Sequence, residues 1–255
     1  MFKSAKDTVF VGRNLKFLPS CQSTNKLAVN WVAEGKELDG TVIITSEQTS
    51  GRGQRGNSWQ SEPNQNLTFS LILKPSFLLA SEQFNLNMAI SIGIWDFLRK
   101  NLPIEPTVKW PNDLYCSDKK LGGILIENFI KNQRLENSVV GIGLNINQQL
   151  FDLPKATSLS ILSGKQFELN SLLEDLLVCL ERRYLELRSG KIERLKQKYL
   201  SILYRYQEKH QFADLREEFP IIFFGQILGI DKLGRLLVEK EGKIHSFGFK
   251  EIGFL

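Results

Sequence analysis

Two apolar runs, Val42-Ile43-Ile44 and Leu67-Thr68-Phe69-Ser70-Leu71-Ile72-Leu73, bracket the segment Gln48-Thr49-Ser50-Gly51-Arg52-Gly53-Gln54-Arg55-Gly56-Asn57-Ser58-Trp59. Short apolar runs bounded by turn formers read as buried strands. The segment between them is therefore a long loop hung on a sheet, with a Pro63-Asn64 turn before the second strand. Glycine lets backbone approach a ligand and turns amides toward an anion, and arginine offers a fixed fork of donors. A solvated hairpin loop is the plainest reading of such a stretch. Arg52, Arg55 and Trp59 in a long loop favour an anion-wrapping one.

Gly51, Gly53 and Gly56 match the spacing G-x-G-x-x-G. That pattern binds a dinucleotide only where its last glycine opens a helix. Here Asn57-Ser58-Trp59-Gln60-Ser61-Glu62-Pro63-Asn64 follows, with turn formers and no helical period. No Gly-Lys-Ser/Thr closes the run either, which excludes a Walker A loop.

The chain has 255 residues, 42% hydrophobic and 24% charged, within the usual range for a globular protein and long enough for one large domain plus a small one. No run of about 18 apolar residues occurs, so no membrane span is expected, and the N-terminus lacks the apolar core of a secretion signal. Cys21, Cys116 and Cys179 lie in no metal spacing, which suits a reducing cytoplasm. The net charge of +5 favours anionic partners. Without a helix-turn-helix, zinc-finger or basic-aromatic pattern, nucleic acid is the weaker candidate. With only His210 and His245 present, histidine-based catalysis or metal binding is disfavoured.

Ser23-Thr24-Asn25 offers helix-capping residues ahead of the stripe Leu27, Ala28, Trp31 and Val32, with Gly35 as a stop. Phe84, Met88, Ile92 and Trp95 predict a helix over 82–100. Strands are expected at 107–110, 121–128 and 138–145. Helices follow at 171–187, carrying a leucine stripe, and at 191–206, whose lysines and arginines read as a solvated face. After Phe219 the pattern changes to short strands at 221–224, 226–230, 236–239 and 243–249. This is a small all-β unit, expected to dock on the main domain because so few residues make a marginal core alone.

Lys109-Trp110-Pro111-Asn112-Asp113 and Lys120-Leu121-Gly122-Gly123 flank one hairpin. The proline turn fixes an amide and a carboxylate, while Lys120 can offset charge developing in a transition state. Singly, each piece has a plain structural reading: an exposed lysine, a glycine bulge. With the first loop they form two cationic, glycine-bordered clusters on one sheet.

Taken in order, Ser23-Thr24-Asn25, Gln48-x-x-Gly51-Arg52-Gly53, Lys109-Trp110-Pro111-Asn112-Asp113 and Lys120-Leu121-x-Gly123-Ile124 resemble the motifs of the biotin protein ligase family. Gly141-Ile142-Gly143-Leu144-Asn145-Ile146-Asn147 is similar to the family's following strand. Gly234-Arg235-Leu236 and Lys250-Glu251-Ile252 are similar to its small SH3-like domain. The resemblance runs over residues 20–255. It implies an α+β fold: a mixed β-sheet catalytic domain with helices packed on it, of the class II synthetase kind, over residues 1–210. A small SH3-like β-barrel would occupy residues 211–255.

The implied reaction has two steps, in which ATP activates biotin as biotinyl-5′-AMP and a lysine of a biotin carboxyl carrier domain then takes the biotinyl group. Carried over residue by residue, Arg52, Lys120 and Asp113 are the catalytic candidates, Asp113 orienting the incoming lysine. Ser23, Thr24, Asn25, Gln48, Gly51, Arg52, Gly53, Gln54, Lys120 and Gly123 would bind biotin. Arg55, Trp59, Lys109, Asn112 and Asn145 would border the nucleotide. Mg²⁺ is expected on the ATP phosphates, its protein ligands unassigned. Structural alternatives stand beside these roles: Ser23 as a helix cap, Trp59 as core, Asn145 as a strand-end turn.

Two features depart from the family pattern. Gln54 stands where many members have arginine and Asn57 where a basic residue is common; activity is expected nonetheless, with Arg55 able to substitute. The stretch before Ser23 is too short for the winged-helix DNA-binding domain of bifunctional relatives, so no DNA binding is expected. The partners are then a carrier domain and small molecules, in a cytoplasmic monomer or homodimer. Rival readings are a lipoate or octanoate-type protein ligase, which lacks the joint Gly-Arg-Gly and Lys-Trp-Pro-Asn-Asp motifs, and a non-catalytic biotin or adenylate sensor, which would not need two phosphate-directed cations.

Overall fold

The computed structural model describes residues 2–36 and 38–255, and of Arg55 the backbone. The first strand, β1 (Leu15–Cys21), leads into helix α1 (Thr24–Ala33) and strand β2 (Val42–Gln48). The glycine-arginine loop forms a two-strand flap, β3 (Gly51–Arg52) and β4 (Ser58–Trp59). After β5 (Leu67–Leu73) and the long helix α2 (Gln83–Asn101) comes the meander β6 (Pro106–Lys109), β7 (Asp113–Cys116), β8 (Lys119–Lys131) and β9 (Arg134–Leu144). These strands make a seven-stranded sheet in the order β1-β2-β5-β9-β8-β7-β6. Only the β1–β2 pair is parallel, so the sheet is mixed as the sequence implied.

Helices α3 (Leu159–Ser163), α4 (Leu169–Arg188) and α5 (Ile192–Ser201) follow. Leu172, Leu173, Leu176, Leu177, Leu180, Tyr184 and Leu187 are all buried on α4, the stripe expected from their spacing. Each fully buried leucine contributes about 1.5–3 kcal/mol relative to exposure. On the sheet's other face α1 buries Ala28 and Val32 against Ile43, Ile72 and Val139. Its N-cap is Ser23, whose side chain accepts from the Lys26 amide.

The basic helix is shorter than the expected 191–206 and stops at Ser201. Val108 competes for the chain there, its amide donating to Ile202 O (2.9 Å) and its carbonyl accepting from the Tyr204 amide (2.9 Å). Arg205 then takes a positive φ of 60°.

A second sheet, in the order β13-β12-β11-β10-β14, closes the chain. It comprises β10 (Lys209–Asp214), β11 (Ile221–Ile230), β12 (Leu236–Lys240), β13 (Lys243–Phe247) and β14 (Ile252–Phe254). The two strands expected at 221–224 and 226–230 are one strand with a bulge between Ile227 and Gly229. Trp110 joins the sheets: its Nε1 donates to Gly234 O (2.9 Å) and its ring packs edge-on against Phe249. One apolar cluster runs from Ile44 and Phe69 to Phe212, Val238 and Phe247, so the β unit shares the main core.

Candidate active site

The open end of α1, the β3–β4 flap and strands β5, β8 and β9 enclose a cavity of about 140 Å³. Ser23, Thr24, Asn25, Gln48, Arg52, Gly53, Gln54, Asn112, Asp113, Lys120 and Gly123 all line it, although Ser23 and Gly123 lie 100 residues apart. Gly51 stands behind the wall, where a Cβ would press on Gln48 Nε2 (2.8 Å) and the Trp59 carbonyl (2.3 Å).

A hydrogen-bonded chain fixes this wall. Gln48 Oε1 accepts from the Thr24 amide (2.8 Å) and hydroxyl (3.2 Å). Ser70 Oγ lies 2.9 Å from Thr24 Oγ1 and donates to Asn25 Oδ1 (2.8 Å). Asn25 Nδ2 donates to Glu127 Oε2 (2.7 Å), and Glu127 Oε1 pairs with Arg52 Nη2 (3.3 Å). A single network thus runs from the amide of Gln48 to the guanidinium of Arg52. Gly141 and Gly143 of β9 make room for it. A Cβ at Gly141 would sit 2.3 Å from Asn25 Oδ1, and one at Gly143 2.4 Å from Trp59 Cε2.

Among the described residues, two buried side-chain polar atoms of residues lining this cavity have no partner, Thr68 Oγ1 and Trp59 Nε1. An unmade buried hydrogen bond costs about 1–3 kcal/mol, so a polar group bound in the cavity and within reach of these atoms would recover that cost. Lys120 Nζ rests on Asp113 Oδ1 at 2.6 Å, beside Gly123.

A second cavity of about 760 Å³ adjoins the first. Ser58, Trp59 and Lys120 line both, forming the partition. The outer chamber adds Asn145, Gln148, Leu150, Phe151 and Leu153, and Leu150 and Leu153 are 76% and 65% exposed. Asn145 is itself buried, its Nδ2 donating to Thr157 O (2.9 Å), so its strand-end structural role is real and its side chain braces the chamber. Asn112 Nδ2 donates to Ile124 O (2.6 Å) and its residue borders the inner cavity.

Lys109 lines neither cavity: its ammonium is drawn into an aromatic box formed by Tyr115, Tyr204 and Phe254. It was expected to border the nucleotide, and the structure places it against these three rings. The role expected for the Arg55 side chain lies outside the described residues. Sequence reasoning did not single out Ser70, Thr68 or Glu127. The available signal was a serine and a threonine in the otherwise apolar β5, and a carboxylate after Ile124-Leu125-Ile126 in β8.

Chemically, the inner chamber is lined by amide and hydroxyl donors and acceptors together with two cations, Arg52 and Lys120. The outer chamber reaches the same lysine from solvent. That arrangement suits a polar ring carrying an acid, met by a second anion at Lys120. Among the described residues no cluster of three or more His, Cys, Asp or Glu side chains could hold a metal ion.

The chain is similar to known proteins over most of its length. The model of the biotin/lipoate A/B protein ligase family matches residues 17–145. The bifunctional ligase/repressor BirA of Bacillus spizizenii is 31% identical over 247 residues, covering 94% of this chain and 74% of its own length. The biotin–[acetyl-CoA-carboxylase] ligase of Mycobacterium tuberculosis is 28% identical, covering 91% and 85%. The biotin protein ligase of Aquifex aeolicus, solved with biotin and ATP, superposes with a TM-score of 0.79 at 25% identity over 95% of this chain and 99% of that one. The chain belongs to the biotin/lipoate A/B protein ligase family.

Proposed function

We propose that this protein is a biotin protein ligase, activating biotin with ATP and transferring it to a lysine of a biotin carboxyl carrier domain of a biotin-dependent carboxylase. The observation that carries this reading is that Arg52 and Lys120 line one cavity together with Ser23, Thr24 and Gln48. Ser23, Thr24 and Gln48 would hydrogen-bond the ureido ring, with Thr68 Oγ1 completing the set. The biotin carboxylate would point toward Arg52 and Lys120. ATP would enter the outer chamber, with its α-phosphate at Lys120 and its base near Trp59 and Asn145.

In the first step a biotin carboxylate oxygen attacks the α-phosphorus, the bond to the β-phosphate oxygen breaks, and pyrophosphate leaves. Two anions repel until cations neutralise them, and bringing them together in line removes much of the entropic barrier. In the second step a neutral lysine amine attacks the acyl carbon, AMP leaves with the bonding electrons, and the new amide loses a proton. Asp113, at the mouth beside Lys120, would orient that amine. Mg²⁺ would ride on the nucleotide phosphates, as is usual for a cation that keeps most of its own water. Free Cys21, Cys116 and Cys179 fit a reducing cytoplasm, and no described helix is long and apolar enough to cross a membrane.

The test is mass spectrometry of a carrier domain after incubation with enzyme, biotin, ATP and Mg²⁺. The expected result is a gain of one biotinyl group with wild type and its loss, by at least about 100-fold in rate, with Arg52→Ala and Lys120→Ala. A carrier left unmodified by wild type, or modified equally by both variants, would refute the reading.

A further inference from the structure

Lys109 has a setting that the two chambers do not explain. Its ammonium donates to Tyr115 Oη (3.3 Å) and stands 4.8 Å from the Tyr115 ring centre, 4.9 Å from that of Phe254 and 6.0 Å from that of Tyr204. The rings come from three places: Tyr115 from β7, Tyr204 from the turn after α5, and Phe254 from β14 at the end of the second sheet. The box is braced from outside. Tyr204 donates to Asp118 in the β7–β8 turn, and Arg205 lies over the Tyr204 ring (5.0 Å) while donating to Leu255 O (2.7 Å).

An ammonium is strongly hydrated, and burying one needs ring faces and opposite charge to replace water. A methionine would fill the same box without that cost, so the charge calls for a reason. Position supplies it. In the β6–β7 ladder Lys109 stands opposite Asp113, and in β7–β8 Tyr115 stands opposite Lys120. Asp113 is the carboxylate that holds Lys120 at 2.6 Å. For Lys120 to meet anions in the chambers it must release Asp113, whose side chain is only 25% exposed. A carboxylate left there alone would be costly.

We propose that Lys109 is a positioning residue, the standing counter-charge of Asp113, which frees Lys120 to turn from that carboxylate to the reacting oxygens. The inference rests on the ligase reading and adds to it a role for a lysine outside both chambers. The charged and titratable groups around Lys109 are Asp113, Tyr115, Lys120, Lys155, Tyr204 and Arg205, with Asp118 behind Tyr204. Burial lowers the Lys109 pKa from its ordinary value; Asp113 opposes this, while Arg205, Lys120 and Lys155 add to it. Burial first, then Asp113, Tyr204 and Asp118, push Tyr115 up to about 12, so its hydroxyl stays neutral beside the amine. Lys109 therefore loses its proton at lower pH than an exposed lysine, and the alkaline limb of activity follows it.

The experiment measures biotin-dependent pyrophosphate release from about pH 7 to 10.5 for wild type, Lys109→Met, Lys109→Arg and Phe254→Leu, with the melting temperature of each. Lys109→Met should lower kcat roughly tenfold with the KM for biotin little changed, and should lose the alkaline limb. Lys109→Arg should recover most of kcat and carry the limb out of range, because a guanidinium does not titrate there. Phe254→Leu opens the box to water and should move the limb upward. Lys109→Met with wild-type kcat and limb, or Lys109→Arg as poor as Lys109→Met while both stay folded, would overturn the inference. If Lys109→Met does not fold, an unmoved limb in Phe254→Leu overturns it. Wild type that releases no pyrophosphate refutes the ligase reading itself, and the inference with it, a result unlike any ranking of variants.

Discussion

Glu127 faces two ways, accepting from Asn25 on α1 and holding Arg52 on the flap. Replacing it with glutamine keeps the volume and frees the guanidinium. Because Arg52 is half exposed, stability should change by no more than about 0.5 kcal/mol. Catalysis should suffer more, since misplacing a reacting contact by an ångström can cost about 100-fold. Steady-state kinetics of Glu127→Gln should thus show a fall in kcat/KM of about 10- to 100-fold at unchanged melting temperature. Unchanged kcat/KM would sever the link drawn between Asn25 and Arg52. Gly143 offers a second test at this scale. A methyl group there meets the Trp59 indole at 2.4 Å, so Gly143→Ala should displace the tryptophan and raise the KM for ATP more than that for biotin. That Arg52, Asp113 and Lys120 belong to one cluster was legible in sequence because each sits in a glycine- or proline-bordered motif, and all three line the inner cavity. Glu127 and Ser70 were not, because their partners are distant in sequence: Asn25 and Glu127 are separated by 102 positions and Ser70 and Asn25 by 45. The aromatic surroundings of Lys109 were not legible either, because Tyr204 and Phe254 come from distant turns and strands that no local spacing reveals.

Secondary elements with sustained periodicity were the readable ones. Helix α4 and strand β5 fall where the apolar patterns put them, and β9 includes most of the expected 138–145 but starts four residues earlier, at Arg134. Strand β1 was missed because Pro19 interrupts it, which an edge strand tolerates by leaving that position out of the ladder. Strands β10 and β14 were missed because a few residues paired at long range carry little local signal. Packing of α4 on α2 is tight: a Cβ at Gly93 would stand 3.1 Å from Leu180 Cα. Leu176→Ala, at a fully buried site, should cost about 2–5 kcal/mol in denaturant unfolding. On β10, Asp214 is held by a forked pair with Arg216 (2.9 and 2.6 Å), which keeps its carboxyl below the usual range. A folded value below the unfolded one, near 3.9, means this stabilisation is complete above about pH 4 and lost as pH falls through the folded value. Asp214→Asn should therefore flatten the acid side of the melting-temperature profile and leave the slope near neutrality unchanged.

At the scale of the molecule, the two sheets share one core, joined at Trp110, Gly234 and Phe249, so the C-terminal unit can brace the site from behind. That shared core was foreseeable from the brevity of the β unit, whereas the contact that makes it, an indole donating to a turn 124 residues away, was not. The mild positive charge, read from composition as a taste for anions, resolves in part into Arg52 and Lys120 at one cavity. The claim on which the account depends is that a vitamin acid and a nucleotide meet at the partition between the two chambers. Exchange of labelled pyrophosphate into ATP measures that meeting directly, without a carrier. Wild type should catalyse exchange with biotin present and give only background with lipoate or octanoate. Biotin that binds yet supports no exchange, or exchange driven equally by octanoate, would contradict the account.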